Sequence, residues 1–149
     1  TDGVVVEGFD NTPIKFAKCC SPLPGDPIVG FITRGFGVSI HKQSCVNAIS
    51  SMKDPTNAPR WVKAYWADSV KDSYKAGIEI IALNRNELLQ DVLAALADIR
   101  VPIYAVNARQ VENNCAMVSL TIGINNTEHL NRVVARLSKV KDVLKVTRS

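Results

Sequence analysis

One segment constrains the possible fold and function of this chain more than any other part of its sequence. It covers residues 16–45, FAKCCSPLPGDPIVGFITRGFGVSIHKQSC. They include three of the four cysteines, two of them adjacent, and one of the two histidines. Cys19, Cys20, His41 and Cys45 all have side chains that bind soft metal ions. A Pro/Gly-rich turn and a strand-like segment separate these residues. Such a cluster indicates a metal site, a redox pair or a packed recognition surface.

Residues 1–66 are predicted to form a small β-rich domain. Four segments read as regular structure: strands over residues 28–33, 38–41 and 61–66, and a short helix over residues 44–52. Residues 34–37, Arg-Gly-Phe-Gly, read as the loop of a hairpin. Because side chains alternate along a strand, Val38 and Ile40 should face one way and Ser39 and His41 the other.

Residues 67–75 are polar and lack apolar periodicity, so they are predicted to be a linker. Residues 76–149 then read as a second domain with the order β-α-β-β-α-β. Its predicted strands cover residues 78–83, 104–111, 118–124 and 143–147, with a turn at Asn113-Asn114. Leu89, Val92, Leu93, Leu96 and Ile99 mark the first helix, and Leu130, Val133, Val134 and Leu137 mark the second.

Helix caps are predicted at both helices of the second domain. Asn84 and Glu87 fit a capping box, and Asn126 or Thr127 should cap the later helix. The fold class is therefore α+β, a small β-rich domain followed by a ferredoxin-like βαββαβ domain. Two helices would cover one face of the sheet, and the other face is left for a partner such as a second copy.

Composition sets wider limits. A hydrophobic content of 46% supports a core, and no run approaches the ~18 apolar residues of a membrane helix. The net charge of +4 permits nucleic-acid binding without requiring it. Four cysteines in a chain of this length do not indicate a disulfide scaffold, so reduced thiols are expected. The chain begins at Thr1 without a methionine, and we expect it to be a fragment of a longer protein.

The chain closely resembles the C-terminal regulatory region of RelA/SpoT-type (p)ppGpp synthetase/hydrolases. The resemblance lies in the tract AKCCSPLPGDPIVGFITRGFGVSIHKQSC and in the βαββαβ module that follows it. The resemblance implies that residues 1–66 are the conserved-cysteine domain, also called the zinc-finger or ribosome-intersubunit domain. It implies that residues 76–149 are an ACT domain. The parent would be a cytoplasmic protein of the stringent response, a GTP pyrophosphokinase, a (p)ppGpp hydrolase or both.

The same resemblance implies that this region is regulatory rather than catalytic. The family's catalytic domains lie N-terminal to it, and it senses the ribosome, through large-subunit rRNA, and uncharged tRNA. A homodimer through the ACT sheet is also expected. The residues agree with a non-enzymatic role, because His41 and His129 each lack the adjacent Asp of an HD-type metal motif. No phosphate-binding Gly-rich loop is present either.

The cysteine cluster has two interpretations. His41 and Cys45, four residues apart, could join Cys19 and Cys20 in a tetrahedral zinc site, as the family's zinc-finger name suggests. Adjacent cysteines on a strand would point to opposite faces, however, and zinc ligands are usually spaced by two to four residues. We therefore expect reduced thiols that pack as the floor of a recognition surface, with zinc as the alternative. Thiol catalysis beside Lys18 has no matching base.

Two further sites are predicted. Lys and Arg neutralise phosphates, and Phe36 at the hairpin tip could stack on an unpaired base. The candidate RNA contacts are therefore Lys18, Arg34, Phe36, His41 and Lys42, with Lys15 nearby. In the alternative, the charges are solvated and Phe36 packs on Trp61 or Trp66.

The first strand–helix junction of the second domain is a candidate binding site for an amino acid. Its residues are Asn84, Arg85 and Asn86. A branched-chain amino acid bridging two ACT modules is the alternative function for the whole region. The glycine expected at this junction in the family is absent, which favours a plain helix cap.

Overall fold

The computed structural model describes residues 3–67 and 73–149. The chain divides into two compact units, Thr1–Asp72 and Ser73–Ser149. Residues 68–72, the middle of the predicted linker, lie outside the described residues. Of the residues that are described, none belongs to a helix long and apolar enough to cross a membrane.

The first unit is a five-stranded sheet with one helix. Its elements are β1 (Val4–Val6), β2 (Ile14–Phe16), β3 (Ile28–Ile32), β4 (Val38–Lys42), α1 (Val46–Lys53) and β5 (Trp61–Trp66), with a short 3₁₀ turn at Ala58–Arg60. The strand order is β1-β5-β3-β4-β2, and among the described strands of this unit the β2–β4 pair alone is parallel. The predicted strands, hairpin and short helix are confirmed, while β1 and β2 were not predicted.

The two edge strands of the first unit's sheet share one core. β1 and β2 form opposite edges of the sheet, yet only residues 7–13 join them along the chain. Both edges contribute to one apolar cluster, which contains Val4 and Val6 from β1 with Ile14 and Phe16 from β2 packed against it. Because the two edges share a core, the outer face of β4, β3 and β5 is left to hold the functional side chains.

The second unit is the predicted βαββαβ fold. It consists of β6 (Tyr74–Leu83), α2 (Leu88–Asp98), β7 (Ile103–Val111), β8 (Cys115–Ile124), α3 (Thr127–Ser138) and β9 (Val143–Arg148). The sheet order is β7-β8-β6-β9, and every pair is antiparallel. Alternate residues of β6 and β8 are buried, and they face the apolar residues of the helices: Leu88, Val92, Ala95 and Leu96 of α2, and Leu130, Val133 and Leu137 of α3.

Two details of the second unit differ from the prediction. β6 begins at Tyr74, so Tyr74 and Lys75 of the predicted linker are strand residues. The capping box at Asn84 is wrong, because α2 begins at Leu88 after Glu87, which has φ 69° and makes no side-chain cap. The Asn84 N–H donates to Asn114 O at 2.9 Å, which extends the strand ladder past the point where a cap would form.

The cap of α3 agrees with the sequence. Asn126 has extended backbone angles, and its Oδ1 accepts the His129 N–H at 2.8 Å. The predicted turn between β7 and β8 is also present, with φ of 60° at Asn113 and 57° at Asn114. Asn tolerates this left-handed conformation better than most residues.

Candidate metal centre and nucleic-acid interface

Cys19, Cys20, His41 and Cys45 converge in the first unit. Each offers one donor atom, and the four atoms lie within 4.8 Å of one another. Cys19 Sγ is 3.5 Å from Cys45 Sγ and 3.5 Å from His41 Nδ1, while Cys20 Sγ is 4.0 Å from the same Nδ1. Zn–S bonds of about 2.3 Å in a tetrahedral site place two sulfurs about 3.7 Å apart. These four residues therefore fit a tetrahedral zinc ion.

The argument against a four-ligand site, that adjacent cysteines face opposite ways, is wrong here. Cys19 and Cys20 lie in a turn rather than in a strand. The Ser21 N–H donates to Ala17 O at 2.9 Å, and Ser21 has φ 44°. This tight turn brings both thiols to the same side, toward His41. Cys45 is buried, Cys20 is half-buried and Cys19 is exposed.

His41 is held in place on three sides. Val38 and Ile40 point into the core, which confirms that Ser39 and His41 share the outer face of β4. Nδ1 of His41 faces the thiols, and Nε2 lies 3.4 Å from Ser39 Oγ. The ring meets Trp61 edge-on with centroids 5.3 Å apart. Burial lowers the pKa of His41, which favours the neutral imidazole that binds metals.

Cys45 immediately precedes α1. Burial raises the pKa of Cys45, but the backbone N–H groups of Ala48 and Asn47 and the hydrogen bonds of the neighbouring thiols outweigh burial, so its pKa lies below the ordinary value. Burial raises the pKa of Cys20 to about 12, although the Lys42 N–H donates to its sulfur at 3.3 Å. A bound cation would reverse this preference, because a metal binds thiolates and displaces their protons.

Beside the cluster lies an open groove of about 450 Å³. Its lining residues are Lys15, Ala17, Lys18, Thr33, Phe36 and Ser39. The Phe36 side chain is 50% exposed, and Lys15 Nζ lies 6.0 Å from the centroid of its ring. In the alternative interpretation Phe36 would pack on Trp61 or Trp66. Trp61 instead packs against Phe31 and His41, and Trp66 stacks on Phe16.

The five predicted RNA contacts fall into two groups. Lys18 and Phe36 share the groove, and Arg34 is exposed in the same hairpin loop as Phe36. His41 faces the thiols, and Lys42 lies at the far end of β4, about 13 Å along the strand from Val38. Lys15 joins the groove because β2 places it opposite Ser39 of β4. A three-residue strand is too short to be recognised from its sequence pattern.

The predicted ligand site of the second unit is a shallow groove of about 190 Å³ that includes Asn84 and Arg85. The Arg85 guanidinium is already occupied. Nη2 donates to Asp91 Oδ2 at 2.8 Å and to Lys141 O at 3.0 Å. Nε lies 2.8 Å from Asp142 Oδ2, although its N–H is not aimed along that line, so this contact is an ion pair rather than a hydrogen bond. Two carboxylates thus neutralise the charge that an amino-acid ligand would need, and the ligand role stays a prediction.

Comparison with known proteins identifies both units. The RelA/SpoT RIS domain matches residues 4–67, and the ACT domain matches residues 71–148. The GTP pyrophosphokinase of Haemophilus influenzae is 35% identical over 97% of this chain. The bifunctional (p)ppGpp synthase/hydrolase RelA of Mycobacterium tuberculosis is 37% identical over 98% of this chain. The chain spans only 19% of the length of each.

Among solved structures, the ACT domain from the GTP pyrophosphokinase of Chlorobium tepidum is 22% identical to this chain. It has a TM-score of 0.46 and covers 52% of this chain and 99% of its own. Because the ACT-domain family matches residues 71–148, which is more than half of the chain, the chain belongs to the ACT-domain family. With a RIS domain ahead of its ACT domain, it matches the C-terminal regulatory region of RelA/SpoT-type GTP pyrophosphokinases.

Proposed function

We propose that this region binds ribosomal RNA and uncharged tRNA through its first unit and transmits the starvation signal to catalytic domains of its parent protein. The parent would make (p)ppGpp as a GTP pyrophosphokinase, hydrolyse it, or do both. The observation that carries the proposal is the groove in which the half-exposed Phe36 is flanked by Lys15 and Lys18. The names of the relatives and of the RIS domain support it.

The groove has the chemistry that an unpaired nucleotide requires. An exposed aromatic ring stacks on a base, which typically contributes about 1–3 kcal/mol per base. The ammonium groups of Lys15 and Lys18 neutralise phosphates and release counterions. The hydroxyls of Thr33 and Ser39 line the same groove and supply hydrogen bonds to sugar or base edges. This surface is suited to a single-stranded loop rather than to the closed groove of an RNA duplex.

A zinc ion held by Cys19, Cys20, His41 and Cys45 would serve this surface indirectly. A structural zinc ion supplies a rigid tetrahedral crosslink and no reaction. Here its ligands come from the turn that follows β2, from β4 and from the residue before α1. Because Lys18 precedes Cys19 directly, the ligands fix the backbone that presents the Lys18 ammonium to the groove.

RNA binding is tested by fluorescence anisotropy with a single-stranded rRNA loop, in parallel with co-sedimentation with ribosomes. Lys18→Gln should reduce affinity and lower the slope of log K against log salt by about 0.7–0.9. Phe36→Leu should weaken binding by about 5- to 150-fold with the salt slope unchanged. Lys139→Gln, an exposed lysine at the end of α3, is the matched control. Wild-type affinity no higher than that of an unrelated basic protein would reject the proposal.

The metal is tested by elemental analysis of protein purified without chelators or affinity metals. One zinc per chain is expected in the wild type and in Cys115→Ser, whose thiol lies in the second unit. His41→Ala should lose the metal. Wild-type protein that holds no zinc, and takes up none when it is added to the reduced protein, would leave the reduced thiols as a packed cluster.

We also propose that the second unit forms a homodimer through β7, which lies at one edge of its sheet. All nine residues of β7 except Val111 are exposed, including the apolar Ile103, Tyr104 and Val106. A long uncovered edge strand readily pairs with another strand, and a two-fold axis would join two copies of it. Val106→Glu should produce a monomer by light scattering, while Thr147→Glu on the opposite edge strand should not. A monomeric wild type would reject this interface.

A further inference from the structure

We propose that Cys19 and Cys45 are a redox-modification site, at which a low-molecular-weight disulfide such as oxidised glutathione converts the two thiols into an intramolecular disulfide. The bond itself is inferred from the geometry of the thiols, whereas its effect on metal binding rests on the zinc site proposed above.

The two sulfurs are already in contact. Cys19 Sγ lies 3.5 Å from Cys45 Sγ, and a disulfide needs about 2.05 Å, so the sulfurs have to approach by roughly 1.5 Å. Cys19 lies in an exposed turn, where side-chain rotation and a small backbone shift supply that movement. No large rearrangement of the sheet is required.

The third thiol of the cluster is a poorer partner. Cys20 is adjacent to Cys19, and neighbouring cysteines rarely form a disulfide without strain. Its sulfur accepts the Lys42 N–H at 3.3 Å, which ties it to the end of β4. Cys115 belongs to the other compact unit. The 3.5 Å contact between Cys19 and Cys45 therefore favours these two as the pair that forms the bond.

Exposure sets the order of the two steps. Cys19 is open to solvent, whereas Cys45 is only 6% exposed. The Cys19 thiolate attacks one sulfur of oxidised glutathione, which forms a mixed disulfide and expels one glutathione thiolate. The Cys45 thiolate then attacks Cys19 Sγ, forms the Cys19–Cys45 bond and expels the second glutathione. The two cysteines are oxidised, one oxidised glutathione is reduced to two thiols, and those thiols take up the two protons.

The disulfide and a four-ligand metal site exclude each other. The bond removes two of the four donors, and Cys20 and His41 alone do not make a closed tetrahedral site. Oxidation therefore ejects the zinc while it links the Lys18 turn to the start of α1 by a covalent bond. The cluster would then respond to the thiol–disulfide balance of its surroundings.

The experiment treats the zinc-free and the zinc-loaded protein with oxidised glutathione, followed by alkylation, trypsin and mass spectrometry. Cleavage after Lys18, Arg34, Lys42 and Lys53 separates residues 19–34 from residues 43–53. A crosslinked pair of these peptides is expected, with the loss of two hydrogens and reversal by dithiothreitol. A chromogenic chelator should register one zinc released for each disulfide formed.

Variants assign the bond. Cys20→Ser and Cys115→Ser should still form the crosslink, and Cys19→Ser and Cys45→Ser should not. A glutathione adduct that never resolves, a crosslink that survives in Cys19→Ser, or disulfides only between chains would each overturn the proposal. The mass readout on the zinc-free protein decides about the disulfide whether or not the wild type binds zinc. Stable zinc binding without any crosslink would therefore reject the disulfide and leave the metal site intact.

Discussion

The indole of Trp61 meets the imidazole of His41 edge-on, with the ring centroids 5.3 Å apart and the planes at 65°. Trp61 Nε1 also donates to Ser51 Oγ of α1 at 3.1 Å. The second tryptophan, Trp66, stacks on Phe16 and donates to Asp26 O. The two tryptophans thus have different surroundings, and Trp61 is the one in contact with a candidate metal ligand.

This contact predicts an optical readout of metal binding. Zn²⁺ on Nδ1 places positive charge on an imidazole that touches the indole, and a cationic imidazole quenches tryptophan fluorescence. We expect emission to fall on titration with zinc in the wild type and in Trp66→Phe, and to stay nearly constant in Trp61→Phe. Equal quenching in both variants would show that the metal binds elsewhere.

The N-termini of α2 and α3 predict a contrast between two asparagines, because only α3 has a side-chain cap. Asn126→Ala removes the Oδ1 that accepts the His129 N–H, so it should lower the free energy of unfolding by about 0.5–2 kcal/mol. Asn84→Ala should cost less than about 0.5 kcal/mol, because Asn84 continues the strand ladder through its backbone and does not cap α2. Urea unfolding followed by circular dichroism measures both. A larger loss of unfolding free energy in Asn84→Ala than in Asn126→Ala would show that Asn84 caps α2 after all.

The two asparagines also show what the local sequence can predict. Asn126 is a local device, since its partner His129 lies three residues on, and the sequence predicted it. The predicted cap at Asn84 was wrong because the Asn84 N–H donates to the carbonyl oxygen of Asn114, thirty residues away. Patterns within a few residues cannot register such a competitor. The same holds for β1 and β2, whose three-residue length gives no recognisable period.

The cysteine cluster was predicted as a set of residues but not as a geometry. The ligand types and the His41–Cys45 spacing were visible in the sequence. The convergence of Cys19 and Cys20 depends on the left-handed backbone conformation of Ser21. Serine rarely adopts this conformation, so the sequence did not predict it. The groove beside Phe36 likewise depends on the parallel pairing of β2 with β4, which only the folded chain reveals.

His129 predicts how the second unit responds to acid. The Asn125 N–H donates to Nδ1 of His129 at 3.0 Å, which requires the neutral ring. Burial, with Arg132 as a smaller cause, lowers the pKa of His129 below 6.5 in the folded state. A depressed folded pKa stabilises the fold above the unfolded pKa, and this contribution is lost as pH falls from about 6.5 through the folded value.

The measurement is the melting temperature between pH 8 and pH 5. The wild type should lose stability below about pH 6.5, and His129→Gln should lose less. His41, whose pKa burial also lowers, leaves part of the decline in both proteins. Parallel curves for the two proteins would contradict the role of His129.

Two glycines of the β3–β4 hairpin predict unequal costs. Gly35 has φ 90° with no atom within 4 Å of an added Cβ, so Gly35→Ala should cost about 1–2 kcal/mol for the backbone alone. At Gly37, with φ 142°, a Cβ would lie 2.3 Å from Pro13 O, the atom that accepts the Val38 N–H. Gly37→Ala should add about 1–3 kcal/mol of steric cost. Chemical unfolding followed by tryptophan fluorescence compares them, and equal costs would refute the close approach.

The pairing of Val4 with Trp66 has a consequence for the synthesis of the chain. Val4 has its sheet partner 62 residues later, since β1 pairs with β5. Translation proceeds from the N-terminus, so Val4–Val6 emerges long before the strand it needs. The hairpin of β3 and β4 and the parallel strand β2 can assemble first, because their partners are close in sequence. The first unit can therefore complete its core only after Trp66 has been synthesised.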